Sequence, residues 1–221
     1  MHGLIMEKIS HDYAEKMHES TFRPFSQAVR YENDQNNWTI STLNKEAFNQ
    51  IIPFIQSIKS AFIDQKNDTV TFGSPLIKET SYDAMFLKNY INTETNRIIK
   101  LQFLTPVSFK HQGTYINMPT PKLILSGIAK KYDLYCDRHE TLSDELFDQF
   151  EKHVFISSYN LRSSSFSLEG IKIPSFIGTV TLFVTSNPTF CNYINMLCDY
   201  AEYCGVGIKT ALGMGQVKRI N

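Results

Sequence analysis

The chain carries no surplus of positive charge. Its 22 Lys and Arg are matched by 22 Asp and Glu, for a formal net charge of zero. Nucleic-acid binders usually show a basic excess, so the totals taken alone argue against RNA as a partner. Metal-type spacing is missing too. Cys136, Cys191, Cys198 and Cys204 form no Cys-x-x-Cys pair and no Cys/His pattern of a zinc site. No carboxylate cluster has ligand spacing either, so neither a metal nor a cofactor is expected. The opening Met-His-Gly-Leu-Ile-Met-Glu-Lys lacks the apolar run of a secretory signal. The uncharged stretch from Ile173 to Cys198 contains Pro174, Asn187, Pro188, Asn192 and Asn195, so it reads as strand, turn and helix instead of a membrane span. A reduced, soluble, cytoplasmic protein is the expectation.

Hydrophobic residues make up 42% of the 221, enough for a real core. The charge is also unevenly spread. Lys100, Lys110, Lys122, Lys130 and Lys131 stand in a stretch with no acid. The next twenty residues hold seven acids against Arg138 alone. Segregation of this kind can build one basic surface on a neutral protein, although a basic loop followed by a solvated acidic helix would look the same.

Leu4, Ile5, Ile9, Tyr13 and Met17 predict one helix over residues 3–20, closed by Pro24. Phe25 to Tyr31 and Trp38 to Leu43 read as strands around a polar loop. Asn44 caps a helix to about Ser60 that buries Phe48, Ile51, Ile52, Ile55 and Ile58. Thr69 to Phe72 follows, then a mixed stretch to Asn96. A second cycle runs from Arg97: a strand Ile98 to Phe109, helices near Lys122 to Tyr135 and Asp144 to His153, strands Phe155 to Leu168 and Ile177 to Thr185, a helix opened by Asn187-Pro188, and a strand Gly215 to Ile220. Strand-helix-strand-strand-helix-strand is the ferredoxin-like order, shared with the RRM. The reading is an α+β fold of tandem ferredoxin-like (RRM-like) units, residues 1–96 and 97–221, the first lacking its opening strand. A missing central strand leaves backbone groups unpaired, so the sequence is expected to start late or to have the gap filled by a neighbouring segment.

Four of the ten glycines fall within Gly205-Val-Gly-Ile-Lys-Thr-Ala-Leu-Gly-Met-Gly215. Glycine is costly in entropy, and such clustering serves tight turns or close backbone approach to a phosphate. A plain helix C-cap and turn would also use Gly205. The loop is no Walker motif, because Lys209 and Thr210 precede Gly213 and Gly215. It is no dinucleotide fingerprint, because it follows a helix and opens a strand.

This loop, between the last helix and last strand of a second ferredoxin-like unit, resembles the C-terminal glycine-rich signature of the RAMP superfamily. The Lys-Thr before Leu-Gly-Met-Gly is similar to the repeat-processing endoribonuclease of Csm-type CRISPR systems. Leu104-Thr-Pro-Val-Ser-Phe-Lys110 resembles the first strand of that family's second domain. Tyr159 to Leu168 with Ile173 to Gly178 resembles its paired strands. Ala14 to Glu19 through Arg23 to Ser26 resembles the end of its first helix and the next strand.

The resemblance implies metal-independent cleavage of CRISPR repeat RNA: the 2′-hydroxyl attacks the adjacent phosphate, leaving 2′,3′-cyclic phosphate and 5′-hydroxyl ends. A histidine suits the proton transfer, with its ordinary pKa near ~6.5. The family's histidine, at the end of the first helix, corresponds to His18. Arg23 is the nearest basic residue after it, to steady phosphorane charge. Met6 stands where some archaeal relatives carry tyrosine, which leaves the second proton group open between His2 and others; Tyr13 reads as core. Lys209 would hold phosphate with the loop of Gly205, Gly207, Thr210, Gly213 and Gly215, and Arg162, Lys110 and Lys122 would line a basic cleft. The implied partners are precursor repeat RNA and a type III effector complex that receives the product, with the enzyme a monomer or homodimer away from membranes. The alternative is a RAMP subunit that binds guide RNA without cutting it. A generic RRM-like binder would need an aromatic signature on its central strands, which is absent.

Overall fold

A computed structural model describes residues 1–63, 67–91, 95–136 and 142–220, the side chains of residues 18 and 19 excepted. The N-terminal part runs α1 (His2–Lys8), α2 (His11–Glu19), β1 (Phe25–Glu32), β2 (Gln35–Thr42), α3 (Lys45–Ser57), β3 (Ser60–Ile63), β4 (Asp68–Thr71) and α4 (Tyr82–Tyr90). The remainder runs β5 (Ile98–Val107), β6 (Phe109–His111), β7 (Thr114–Ile116), α5 (Pro121–Tyr135), α6 (Asp144–His153), β8 (Val154–Leu168), β9 (Ile171–Val184), α7 (Pro188–Cys204), a 3-10 turn Thr210–Leu212 and β10 (Val217–Ile220).

The single helix expected over residues 3–20 is two. Ile9 is extended, and Ser10, also extended, becomes the N-cap position of α2 while its N–H donates to Gln50 Oε1 at 3.2 Å. The apolar stripe survives the break: Ile5, Ile9, Tyr13 and Met17 pack with Phe25, Ala47 and Ile51 in one buried cluster. The polar loop after β1 shrinks to a two-residue turn, because Asn33 and Asp34 both take positive φ (50° and 61°) and let Glu32 pair with Gln35. Asn44 caps α3 as expected, its Oδ1 accepting from Ala47 N–H at 2.8 Å. The apolar face of α3 is narrower than expected: Ala47 and Ile51 are buried, whereas Phe48 is 38% exposed. The helix α4, capped by Ser81, lies in the stretch that had no assignment.

In the C-terminal part, β10-β5-β9-β8 form one antiparallel sheet, the strand order a ferredoxin-like unit requires. Local capping sets the helix starts. Thr120, Ser143 and Asn187 accept from the N–H groups of Leu123, Leu146 and Phe190. Pro121 and Pro188 sit in first turns, where no intrahelical N–H is lost. The inner sheet face buries Ile99, Leu101, Phe103, Val180 and Leu182 against α5 and α7, and Leu43 and Met85 from the N-terminal part join that core. The expected strand to Phe109 ends at Val107, and the β5–β9 register shifts before that, between Phe103 and Val107. No helix among the described residues is long and apolar enough to cross a membrane.

Burial of ionisable groups in this core makes the fold alkali-sensitive. It pushes the Cys204 thiol up to about 11, and the Cys198 thiol, Tyr90 and Tyr135 up to about 12. Each group holds its proton longer folded than unfolded, so stability is complete below the ordinary pKa values of 9 for thiols and 10 for tyrosines and is lost as pH rises toward 12. Lys131 runs the other way, because burial lowers its pKa from 10.5 and its share of stability grows with pH. One lysine is outweighed by two thiols and several tyrosines. The melting temperature therefore falls steeply above pH ~9, and a flat melting profile from pH ~8 to ~11 would contradict this.

Candidate functional site

The glycine loop begins where α7 ends. At Gly207, with φ of 80°, a Cβ would stand 2.4 Å from the Ser108 carbonyl oxygen; at Gly215, with φ of 78°, it would stand 2.1 Å from that of Val206. These approaches let the loop fasten to itself and to β5. Val206 N–H donates to Gly215 O, Gly215 N–H to Pro106 O, and Ile208 N–H to Ser108 O. Much of the loop's backbone thus shapes the loop. Lys209 takes a left-handed conformation, φ 56° and ψ 33°, and its carbonyl accepts from Leu212 and Met214. Its side chain is partly exposed, as is Gly213, while Gly205 and Gly215 are buried.

Thr210 faces inward. Its hydroxyl accepts from Lys131 Nζ at 3.0 Å, and the same ammonium donates to Cys204 O at 2.7 Å and Gly205 O at 3.4 Å. Lys131 is 3% exposed. From α5 its ammonium reaches the C-terminal end of α7, where free carbonyls and the helix dipole favour a cation. The sequence reading missed this residue as a structural group.

The loop docks on β1. Gln27 Nε2 donates to Ala211 O at 2.6 Å, and Trp38 Nε1 donates to Gln27 Oε1 at 2.9 Å. Ser26 Oγ donates to Tyr203 O in the last turn of α7. β1 is in turn fed by the segment that follows α2. The backbone of His18 lies in the last turn of that helix, and its side chain lies outside the described residues. Between α2 and β1, the Phe22 carbonyl accepts from Ser20 Oγ at 2.6 Å and from the Tyr135 hydroxyl. Arg23 is partly buried and lies 3.5 Å through Nη1 from Ser20 O. Its charge and the Ser20 contact pull the Tyr135 pKa down, against burial, which dominates and carries it to about 12. The Arg23 turn and the glycine loop therefore flank the same strand.

The other candidates lie apart. Arg162 is exposed on β8 opposite Ile177. Lys110 is exposed on β6, with Nζ 5.8 Å from the Tyr115 ring centre. The lysines between residues 100 and 131 do not make one basic surface: Lys122 pairs with Asp148 at 3.2 Å and Glu151 at 3.0 Å, and Lys131 is internal. Among the other histidines, His11 is exposed beside Glu15, His2 stacks on Phe25, and His139 lies outside the described residues. Met6 packs on the N-terminal cluster, and Tyr13 is buried in it. Among the described residues, no group of three His, Cys, Asp or Glu side chains could share a metal ion.

The family model described as CRISPR-associated endoribonuclease Cas6 matches residues 101–217, which run from the fourth residue of β5 to the first of β10 and take in the whole glycine loop. The CRISPR-associated endoribonuclease Cas6 of Mycobacterium tuberculosis strain H37Rv is 30% identical over 220 residues, 99% of this chain and 70% of that protein. The Streptococcus thermophilus protein of the same name is 28% identical over 218 residues, 98% of this chain and 88% of that protein. Among solved structures, a Cas6 product complex superposes with a TM-score of 0.83 at 22% identity, over 99% of this chain and 92% of the other. Thermus thermophilus Cas6 gives 0.75 at 23% identity, over 99% and 89%. The tandem ferredoxin-like architecture and the placement of the loop agree with these matches, and the chain belongs to the CRISPR-associated endoribonuclease Cas6 family.

Proposed function

We propose that this chain cuts CRISPR repeat RNA within the precursor transcript without a metal ion, and that its two units are residues 1–96, carrying the proton-transfer group, and residues 97–221, carrying the phosphate loop. The observation that carries the reading is the fastening of the glycine loop to β1 through Gln27 and Ala211, directly after the segment that carries His18 and Arg23.

In this reading His18 takes the proton of the 2′-hydroxyl. The freed oxygen forms a bond to the adjacent phosphorus, the bond to the 5′-oxygen breaks, and that oxygen leaves with a proton. Arg23 steadies the charge of the crowded phosphorane. Lys209, on the outside of the loop, holds a neighbouring phosphate, and Arg162 and Lys110 position RNA further away. The products are a 2′,3′-cyclic phosphate and a 5′-hydroxyl. The form of the glycine loop supports a Csm-type enzyme that passes the guide RNA to a type III effector complex, and in this reading it works in the cytoplasm as a monomer or homodimer.

The test is cleavage of the cognate repeat RNA in excess EDTA. The rate stays at its EDTA-free value, and a single 2′-deoxy substitution at the cut site abolishes cleavage. Loss of activity in EDTA would reject the metal-free route. RNA that binds and is never cut would favour the guide-binding subunit instead.

A further inference from the structure

The formal neutrality of the chain hides a sheet without acids. β5, β8, β9 and β10 contain no Asp or Glu, yet they carry Lys100, Arg162, Lys172, Lys218 and Arg219. Arg219 turns to the helix side and pairs with Asp199 at 2.8 Å. Lys100, Lys218 and Arg162 occupy positions that alternate with the buried residues Leu101, Val217 and Phe103, or stand opposite Ile177, on the face away from α5 and α7.

That face also carries an apolar row. Ile98 pairs with Phe183, and Phe183 with Phe155, so the three lie side by side across β5, β9 and β8. They are 59%, 37% and 47% exposed. Adjacent strands are ~4.8 Å apart, so the two phenylalanines spring from facing positions on neighbouring strands and can offer ring faces to bases. The next rows present Lys100 and then Lys218, paired with Gln102. Toward the other end, β8 passes Arg162 and reaches Phe166, whose ring lies 3.8 Å from where a Cβ on Gly213 would stand. The face thus leads from the apolar row to the glycine loop.

We infer that this open sheet face is a platform for single-stranded RNA flanking the repeat segment that is cut, with Phe155 and Phe183 stacking bases and Lys100 and Lys218 meeting phosphates. The inference rests on the endoribonuclease reading for the identity of the RNA. Charge complementarity selects the occupant: a face with cations and no acid fits a polyanion, and exposed phenyl rings fit unpaired bases, whose π-faces are free. Sheets of this kind stack about two or three bases.

The experiment measures binding of an uncleavable, 2′-deoxy-blocked repeat RNA, either bare or extended by a short single strand at one end, by fluorescence anisotropy with the full chain. An extension at one of the two ends tightens binding by about tenfold or more. In Phe155→Ala/Phe183→Ala that ratio falls to about one, and Phe155→Tyr/Phe183→Tyr restores it. Lys100→Gln/Lys218→Gln also reduces the ratio and lowers the salt slope for the extended RNA by about 1.4, at about 0.7 per phosphate contact. No advantage from either extension, or an advantage that survives both double variants, overturns the platform. So does a phenylalanine double variant that changes only the oligomeric state, which would make the row a protein interface. Cleavage of unblocked RNA is scored separately: a parent that favours extended RNA but cuts nothing refutes the nuclease reading and leaves the platform standing.

Discussion

Replacing His18 with alanine lowers single-turnover cleavage of the repeat RNA by about 10²–10⁴-fold and changes its affinity for that RNA by less than about threefold. The split follows from the role proposed for the imidazole. A group that moves a proton acts on the barrier and contributes little to ground-state binding. The position supports the role. His18 is in the last turn of α2, and the segment that follows is held by Ser20 and Tyr135 through the Phe22 carbonyl before it enters β1. β1 is then held to the last turn of α7 by Ser26 and to the glycine loop by Gln27. The chain that follows His18 is therefore fixed to α5, to α7 and, through Gln27, to the glycine loop, and proximity catalysis requires such fixed placement. Arg23→Ala costs less, because charge stabilisation can be shared with Lys209. If His18→Ala cut at the parental rate, the proton would pass through another group, and this assignment would be abandoned.

The start of α7 was legible because capping is local: Asn187-Pro188 carries its own signal, and in the structure Thr120 and Ser143 cap α5 and α6 in the same way. The break between α1 and α2 was not, because the apolar spacing runs through it without a fault. Only the partner of Ser10 N–H, forty residues away on Gln50, shows that the backbone leaves the helix there. The helix α4 escaped because its one-sided apolar pattern is weak and its buried residues, Met85 and Asn89, face a core built later in the chain.

The site divides in the same way. The glycine spacing marked a loop of tight turns or of close approach to a phosphate, and Gly207 and Gly215 have positive φ and come close to carbonyls of the chain itself. What the spacing could not show is which groups turn inward. Thr210 looks like a hydroxyl ready for phosphate, yet it meets Lys131 from seventy-nine positions earlier. Charge left two readings open for a related reason. A run of lysines without acids suggested one basic surface, but the helix turn scatters them, and α6 brings Asp148 and Glu151 to Lys122. The acid-free surface is assembled from four separate strands, which no window along the chain reveals.

Lys131→Met carries the second large effect: a loss of about 2–3 kcal/mol in folding stability, seen as a fall of roughly 5–10 °C in melting temperature for a chain of this size. Methionine keeps the length and apolar stem of lysine but brings no donor. The Cys204 and Gly205 carbonyls and the Thr210 hydroxyl would then lose their shared partner inside the core. A lost hydrogen bond from a charged donor costs about 1.5–3 kcal/mol, so three such contacts sum well above the expected net. The difference is returned because burying the ammonium is itself unfavourable, the same effect that lowers its pKa. The carbonyls win because they stand at the negative end of α7, where a cation is favoured even without a carboxylate. A double-mutant cycle separates this from simple loss of packing. Thr210→Val costs about 1 kcal/mol in the parent and clearly less beside Lys131→Met, since the hydroxyl has by then lost its donor. Additive effects of the two changes, or an unchanged melting temperature in Lys131→Met, would show that the ammonium does not hold the loop.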